Sequence, residues 1–406
     1  MDTPLYRFPY FAGSRVHLGL TGSVAAYKSL DLCRSLIQAD IAVSASLTEA
    51  GSRFVTETSL RALGADPVGS SLFTQEEVFP HLRPAQQCDA LLVAPATANF
   101  LAKMSWGMAN DLLSCQVLAF PGPVLVAPAM NPNMWKASAT QSNVSVLRQR
   151  GIPVLQPLSG DVACGETGEG RLPPLEEIYL HLLRALAPQD MQGSSVLVTL
   201  GPTQEYFDPV RFWSNPSSGK MGAAIATAAW LRGADVHCVC GPSDVYLPAE
   251  VKQYPVLSAR QMYSICHELW PGMNIACLCA AVCDLRPAGF QREKFKKEGI
   301  QNGQIQIPFS ENPDILLSLG RNKEKGQKLV GFAAENEATL ESSARKKLET
   351  KNLDLIVANS VDVEDSGFAS DKNTVLLLDG HSGSSSLISS AKSDIGWRIW
   401  DWILPN

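Results

Sequence analysis

Val124-Leu125-Val126-Ala127-Pro128-Ala129-Met130-Asn131-Pro132-Asn133-Met134-Trp135 is the stretch on which the fold turns. A short apolar run of β-branched and aliphatic residues ending at a proline reads as a buried strand. The prolines at 128 and 132 stiffen its exit. Between them Asn131 is presented among soft apolar residues. An amide donates and accepts hydrogen bonds without changing charge, which suits gripping a carboxylate in a dry pocket. The plain alternative is a strand-to-loop exit with core methionines.

Other segments repeat the pattern. Leu91-Leu92-Val93 runs into Ala94-Pro95-Ala96-Thr97-Ala98-Asn99, and Val16-His17-Leu18-Gly19-Leu20 runs into Thr21-Gly22-Ser23 and a helix start. Strands are expected at 16–20, 41–47, 90–94, 123–127 and 152–155. Helices are expected at 24–38, 51–63, 99–104, 107–118, 138–150 and about 175–187. Strands and amphipathic helices alternating with short connections predict a parallel sheet covered on both faces. Ligands in such sheets bind beyond the strand carboxyl ends, where the turns at 21–23, 95–97 and 128–131 converge.

The segment 188–195 is polar with Pro and Gly and reads as a linker. A second α/β pattern follows, with strands expected at 195–199, 235–240, 275–280, 328–332, 353–358 and 374–378. Its helices are expected at 219–232, 258–269, 313–319 and 337–350. The lysine-rich stretch from Asp284 to Gln304 reads as a flap, and the serine-rich Gly380–Ser390 as a loop. Trp397, Trp400 and Trp402 read as a packed terminal helix. The expected domains are 1–188 and 194–406.

A chain of 406 residues suits two or three domains. Its net charge of −6 argues against a nucleic-acid footprint. No apolar run reaches the length of a membrane span, and the start carries no signal-peptide pattern, so a cytoplasmic location is expected. Cys238/Cys240 and Cys277/Cys279 share strand faces but lack histidines at ligand spacing. They read as buried thiols acting as small hydrophobes.

These blocks, with Cys164-Gly165-Glu166-Thr167-Gly168-Glu169-Gly170-Arg171, resemble the flavin-dependent cysteine decarboxylases. Residues 201–222, Gly-Pro-Thr-Gln-Glu-Tyr-Phe-Asp-Pro-Val-Arg-Phe-Trp-Ser-Asn-Pro-Ser-Ser-Gly-Lys-Met-Gly, resemble the phosphopantothenoylcysteine synthetase block. The whole chain, over roughly 14–375, is similar to the bifunctional phosphopantothenoylcysteine decarboxylase/phosphopantothenate–cysteine ligase family of coenzyme A synthesis. The resemblance implies an N-terminal flavodoxin-like flavoprotein domain followed by a Rossmann-like ligase domain.

In the first half the resemblance implies FMN, with contacts from Gly22, Ser23, Ser46, Thr48 and Thr97. A helix-opening turn offers N–H groups to a phosphate, and the segment is not a dinucleotide fingerprint. The implied chemistry oxidises the substrate thiol to a thioaldehyde, the electron sink for loss of CO2. His81 matches the active-site histidine, Asn131 would bind the substrate carboxylate, and Cys164, on a glycine-rich lid, would protonate the enethiolate.

In the second half the resemblance gives Arg211 and Asn215 as substrate and intermediate contacts. Ser217, Ser218 and Gly219, opening a helix, would hold a phosphate. Nucleotide contacts are implied at Ala280, Asp284, Lys294, Asn312, Pro313, Asp314, Ile315, Phe332, Lys347 and Lys351. The implied reaction activates 4'-phosphopantothenate with CTP and Mg2+ to an acyl-cytidylate that cysteine then attacks. The sequence names no direct Mg2+ ligand. Leu200, Gln204 and Cys283 depart from the family pattern of Ala, Arg and Ala. The partners implied are small molecules and further copies of the chain, trimeric for the flavoprotein and dimeric for the ligase, with neither nucleic acid nor membrane. Two other readings stay open: a flavoprotein decarboxylase of another cysteine, such as a peptide terminus, with a vestigial second half, and a non-catalytic flavoprotein subunit.

Overall fold

Apolar runs of five or six residues build the sheets. The computed structural model describes residues 7–73, 78–161, 165–296, 306–360, 371–379 and 384–404. The chain divides into two compact units after Pro188.

In the first unit, β1 (Arg15–Leu20), β2 (Ala42–Leu47), β3 (Val68–Gly69), β4 (Ala90–Ala96) and β5 (Val124–Pro128) form one sheet in the order β3-β2-β1-β4-β5. All pairings are parallel. Every residue of β4 is buried, as expected of a central strand covered on both faces. The chain reverses its direction of growth between β1 and β4, which opens the crevice at their carboxyl ends. The expected strand at 152–155 is reduced to a single bridge, Val154 to Val126. Pro153 has no N–H to extend the ladder. An antiparallel hairpin, β6 (Leu158–Asp161) and β7 (Thr167–Arg171), lies where only a glycine-rich lid was expected.

His17 lies on β1 and is 3% exposed. Its Nε2 meets the Gln116 Oε1 at 3.1 Å, and its Nδ1 meets the Ser44 Oγ at 2.8 Å. An amide oxygen can only accept, so Nε2 carries the proton and Nδ1 accepts from the hydroxyl. Burial pulls the His17 pKa down to about 4, against the opposing bond from Gln116. The unfolded histidine titrates near 6.5. Below that pH the unfolded chain takes up a proton that the folded chain refuses. The stability contribution is therefore whole above about 6.5 and lost as pH falls toward 4. The loss is on the order of 3 kcal/mol. Thermal melts of the first unit between pH 7.5 and 4.5 are expected to slope accordingly, and a His17→Gln variant to flatten that part of the slope. An equal slope in both proteins would remove His17 as the cause.

In the second unit the main sheet is built from β8 (Ser195–Leu200), β11 (Asp235–Cys240), β12 (Lys252–Pro255), β13 (Ile275–Leu278), β16 (Lys328–Glu335), β17 (Leu355–Ser360), β18 (Lys372–Asp379) and β19 (Ser384–Ala391). They run in the order β12-β11-β8-β13-β16-β17-β18-β19. Six strands pair in parallel and the last two join antiparallel. The switch in strand direction of growth falls between β8 and β13. Two small antiparallel pairs, β9 (Gln204–Tyr206) with β10 (Phe212–Ser214) and β14 (Leu285–Pro287) with β15 (Phe309–Glu311), flank that switch.

β19 corrects the expectation of a loop at 380–390. Serine has little strand preference, but the edge of an existing sheet supplies partners for its backbone. The helix Lys392–Ile403 follows, with Trp397 and Trp400 buried. The Trp400 Nε1 donates to the Ile225 carbonyl at 3.0 Å.

The expected linker is also corrected. Met191 is 0% exposed, and the Met191 N–H donates to the Arg232 carbonyl at 2.9 Å. Arg232 pairs with Asp190 at 2.5 Å and with Asp401 at 2.6 Å. Residues 189–194 are thus part of the second unit. A fragment 189–406 is expected to be more stable than 194–406 by about 2 kcal/mol, the burial of one methionine. Chemical denaturation of both fragments measures this. Equal midpoints would show that Met191 contributes nothing.

Candidate active sites

The first site is assembled from loops at strand carboxyl ends. Thr21, after β1, donates its hydroxyl to the Pro95 carbonyl at 2.8 Å and accepts from the Thr97 N–H at 3.0 Å. The loops after β1 and β4 are thereby joined. Thr97 caps the helix Ala98–Trp106, and Thr48 accepts from the Gly51 N–H at 3.1 Å. A Cβ at position 22 would lie 2.4 Å from the Ala50 Cβ, so only glycine lets the turn close onto the loop after β2.

A cavity of about 430 Å³ lies between the 23–28 turn and the 129–131 loop, with Asp161, Gly170, Arg171 and Leu172 of the hairpin side also lining it. It brings together Ser23 and Asn131 of the expected residues. Its cationic groups come from Lys28 and Arg171, to which the sequence reading gave no role. Ser46 opens instead onto a second cavity of about 280 Å³ that it shares with His17, Ser44 and Gln116.

Asn131 caps the helix Pro132–Lys136, its Oδ1 accepting from the Asn133 N–H at 2.8 Å. Its Nδ2 donates to a carboxylate oxygen of Glu166 at 2.7 Å. The side chain expected to grip a substrate carboxylate is here engaged by a carboxylate of the chain itself. In position 170, a Cβ would meet the Met130 carbonyl at 2.3 Å, so glycine allows β7 to approach the Asn131 loop. Cys164 lies outside the described residues. His81 is half-buried, with its ring edge-on to Phe79. It does not line the Asn131 cavity within the chain. The preceding Pro80 carbonyl accepts from the Gln116 Nε2 at 3.2 Å, tying this turn to the His17 network.

The second site lies where β8 and β13 part. A cavity of about 430 Å³ is lined by Ala280, Asp284, Asn312, Pro313, Asp314, Ile315, Phe332, Lys347 and Lys351. Except for Lys294, these are all the residues expected to contact a nucleotide. A neighbouring cavity of about 270 Å³ is lined by Asn215, Ser217, Ser218 and Gly219 and shares Ala280, Val282, Asp284 and Phe332 with the first. The two volumes form one cleft.

Local chemistry holds these groups in place. Gly219 has φ +76° at the start of the helix Lys220–Leu231, a left-handed conformation that glycine adopts without Cβ strain. The Asn215 Nδ2 donates to the Val282 carbonyl at 3.1 Å, and the Asn312 Nδ2 to the Cys283 carbonyl at 2.9 Å. Lys347 pairs with Glu335 at 2.6 Å and Lys351 with Asp314 at 2.7 Å. These carboxylates fix the ammonium groups along one side of the cleft.

Arg211 and Lys294 line neither cavity. Arg211 pairs with Asp208 at 3.0 Å and donates to the Phe295 carbonyl at 3.2 Å. Asp208 also accepts from the Phe295 N–H at 3.1 Å. Burial works to raise the Asp208 pKa, but bonds from the Val210, Phe295 and Arg211 N–H groups and the Arg211 charge outweigh it and hold the carboxyl below its usual range. The stretch read as a flap is therefore pinned at Phe295, immediately after exposed Lys294.

The departures have structural uses. Leu200 packs against Gly222, where a Cβ would lie 2.5 Å from the Leu200 Cβ. The Gln204 Oε1 accepts from the Tyr206 hydroxyl at 3.1 Å. Cys283 is buried, with its N–H donating to the Thr203 hydroxyl at 3.0 Å, and burial raises its thiol pKa.

The Flavoprotein family matches residues 12–186, and the DNA/pantothenate metabolism flavoprotein C-terminal domain family matches residues 191–405. The coenzyme A biosynthesis bifunctional protein CoaBC of Vibrio parahaemolyticus is 40% identical over 391 residues, covering 96% of this chain and 97% of that protein. Its counterpart in Escherichia coli K12 is 42% identical over 370 residues, 90% of this chain and 91% of that one. That of Bacillus subtilis is 39% identical over 392 residues, 95% of each. With both halves matched in order, and with relatives of this identity aligned over nearly their full length, the chain belongs to the CoaBC family of bifunctional coenzyme A biosynthesis proteins.

Proposed function

We infer that the chain converts 4'-phosphopantothenate to 4'-phosphopantetheine in two stages, with the second unit, 189–406 in place of the expected 194–406, as the ligase domain and 1–188 as the decarboxylase domain. The observation that carries this reading is the single cleft of the second unit. It gathers a helix start suited to a phosphate and nine expected nucleotide contacts at one strand switch point.

In the ligase stage the carboxylate of 4'-phosphopantothenate attacks the α-phosphate of CTP and pyrophosphate leaves. The cysteine amine then attacks the acyl-cytidylate and CMP leaves. Asn215 positions the reacting acyl group, Arg211 and Lys294 offset the developing phosphate charge, and Mg2+ enters with the triphosphate. The lysines at 347 and 351 orient the nucleotide.

In the decarboxylase stage FMN would supply the redox chemistry, taking two electrons from the substrate thiol and returning them to the enethiolate left when CO2 departs. The small-residue turn at 21–23, closed onto Ala50, supports a phosphate-bearing mononucleotide there, with Ser46, Thr48 and Thr97 on the neighbouring loops. Asn131 holds the carboxylate that leaves as CO2, using the donor that now holds Glu166. His81 handles the proton at the reacting thiol, and Cys164 returns one to the enethiolate.

His81 and Asn131 do not share a cavity within one chain, which supports flavoprotein units assembled as trimers with sites completed by a neighbour. Exposed Tyr27, Trp106 and Met108 supply apolar area for such a contact. Dimeric ligase units and a cytoplasmic location complete the reading. Among the described residues no helix is long and apolar enough to cross a membrane.

Purified protein is expected to be yellow, to release pyrophosphate with CTP, 4'-phosphopantothenate and cysteine, and then to release CO2. A colourless protein with ligase activity alone would overturn the decarboxylase assignment. Light scattering showing a monomer would overturn the assembly.

A further inference from the structure

Two neighbouring amides of the first unit converge on one carboxylate of the chain. The Asn131 and Asn133 Nδ2 groups both donate to the same Glu166 oxygen, at 2.7 Å and 3.4 Å. The Asn131 amide is fixed in orientation, because its Oδ1 accepts from the Asn133 N–H at 2.8 Å. Its donor end is thereby aimed at whichever carboxylate lies in front of it. The strand that carries the glutamate is laid against this loop by its backbone. The Met130 N–H donates to the Gly170 carbonyl at 2.9 Å. A Cβ at position 168 would lie 2.9 Å from the Pro132 Cβ, so the approach is close along the whole strand. Across the hairpin the Thr167 hydroxyl donates to Asp161 at 2.6 Å.

The hold on Glu166 is weak. The residue is exposed. Among the described residues its carboxylate is bound by neutral amides, with no cation paired to it. Such bonds gain little over the water they replace. The cations of this region, Lys28 and Arg171, line the cavity onto which Asn131 opens, and Glu166 does not. An anionic ligand entering that cavity therefore meets positive charge that the glutamate does not use.

We propose that Glu166 is an internal stand-in for the substrate carboxylate. It occupies the Asn131–Asn133 amides in the empty site and is displaced by the carboxylate of the substrate. It returns once CO2 has left, because the product has no carboxylate to keep it out. The assignment rests on the decarboxylase reading, in which Asn131 grips the substrate, and adds Asn133 as a second donor and Glu166 as a competitor. Glu166 thus weakens the binding of ligands that carry this carboxylate and leaves those without it untouched.

The test follows CO2 release from phosphopantothenoylcysteine by full-length wild type, Glu166→Ala and Glu166→Gln, with 4'-phosphopantetheine as the inhibitor. The side chain is exposed, so neither substitution opens a cavity. Removing a competitor lowers KM by the factor with which it filled the site, here about 3- to 10-fold for Glu166→Ala, the value of one charge-assisted hydrogen bond near the surface. Glu166→Gln falls in between, since its neutral oxygen accepts more weakly. The inhibition constant of 4'-phosphopantetheine stays as in wild type. In an Asn131→Ala background, Glu166→Ala is expected to change KM no further, because the contested donor is gone. A raised KM would make Glu166 a support for Asn131 and overturn the proposal. An unchanged KM, or an equal shift for substrate and product, overturns it as well, since a merely loosened hairpin would not discriminate the carboxylate. Wild type that releases no CO2 overturns the decarboxylase reading and this inference with it. CO2 release with KM raised or unchanged in the variants overturns this inference alone.

Discussion

Lys294→Gln is expected to lower acyl-cytidylate formation by on the order of 100-fold or more while leaving decarboxylation and thermal stability as in wild type. The side chain is exposed, so its removal opens no cavity and breaks no buried pair. Its position is nonetheless defined, because the next residue is pinned to Asp208 and Arg211 through both its N–H and its carbonyl. The prediction places this cation on the nucleotide phosphates in the bound state, where one charged donor at a transition state is typically worth a few kcal/mol. Rapid-quench measurement of pyrophosphate release without cysteine isolates this step. Normal acyl-cytidylate formation with failed transfer to cysteine would move Lys294 to the second step. Arg211→Gln provides the contrast. It releases the anchor as well as a charge, so both steps are expected to slow together.

The sheets were legible because their strands are buried on both faces and read as continuous apolar runs. Val16 to Leu20 and Leu91 to Val93 needed no partner to be recognised. The ligase contacts proposed at 280–284 and 332 lie at or beside the ends of such runs and those at 312–315 open a helix, but it was the resemblance to the family that singled them out. What escaped the sequence depends on context. Ser384–Ala391 is a strand because β18 offers it an edge, not because serine favours one. Met191 looks like one apolar residue in a polar linker, and only the fold shows the site it fills. Lys392 belongs to no motif and is brought to the cleft by the antiparallel return of β18 and β19. The hairpin that carries Glu166 to Asn131 has a local signal in its glycines, but its pairing partner cannot be read from spacing.

Lys347 and Lys351 are neutralised by Glu335 and Asp314, and Lys220 by Asp371, so a polyanion entering the cleft competes with fixed carboxylates on both sides. Where those pairs are exposed they weaken as ionic strength rises.

Asn131→Asp is expected to slow decarboxylation by roughly 100-fold or more with the fold unharmed. Aspartate caps helices as well as asparagine, and its carboxylate can still accept from the Asn133 N–H now bound at 2.8 Å. A negative charge at a helix N-terminus is, if anything, favourable. The substitution changes one thing that matters. The donor that meets Glu166 at 2.7 Å becomes an acceptor with the same charge as its partner, and as the substrate carboxylate. Losing a charge-assisted hydrogen bond costs about 1.5–3 kcal/mol, and replacing it by a close like charge adds about 1 kcal/mol even in high dielectric. Together these amount to about 2.5–4 kcal/mol, or roughly 70- to 1000-fold in rate. Ligase activity, bound flavin absorbance and the thermal midpoint are expected to match wild type. Asn131→Ala separates the two roles, since it loses the cap as well and is expected to be less stable by about 1 kcal/mol. Stopped-flow detection of CO2 release from purified phosphopantothenoylcysteine provides the readout. An Asn131→Asp variant that releases CO2 at the wild-type rate would reduce Asn131 to a helix cap and remove the carboxylate grip from the reading.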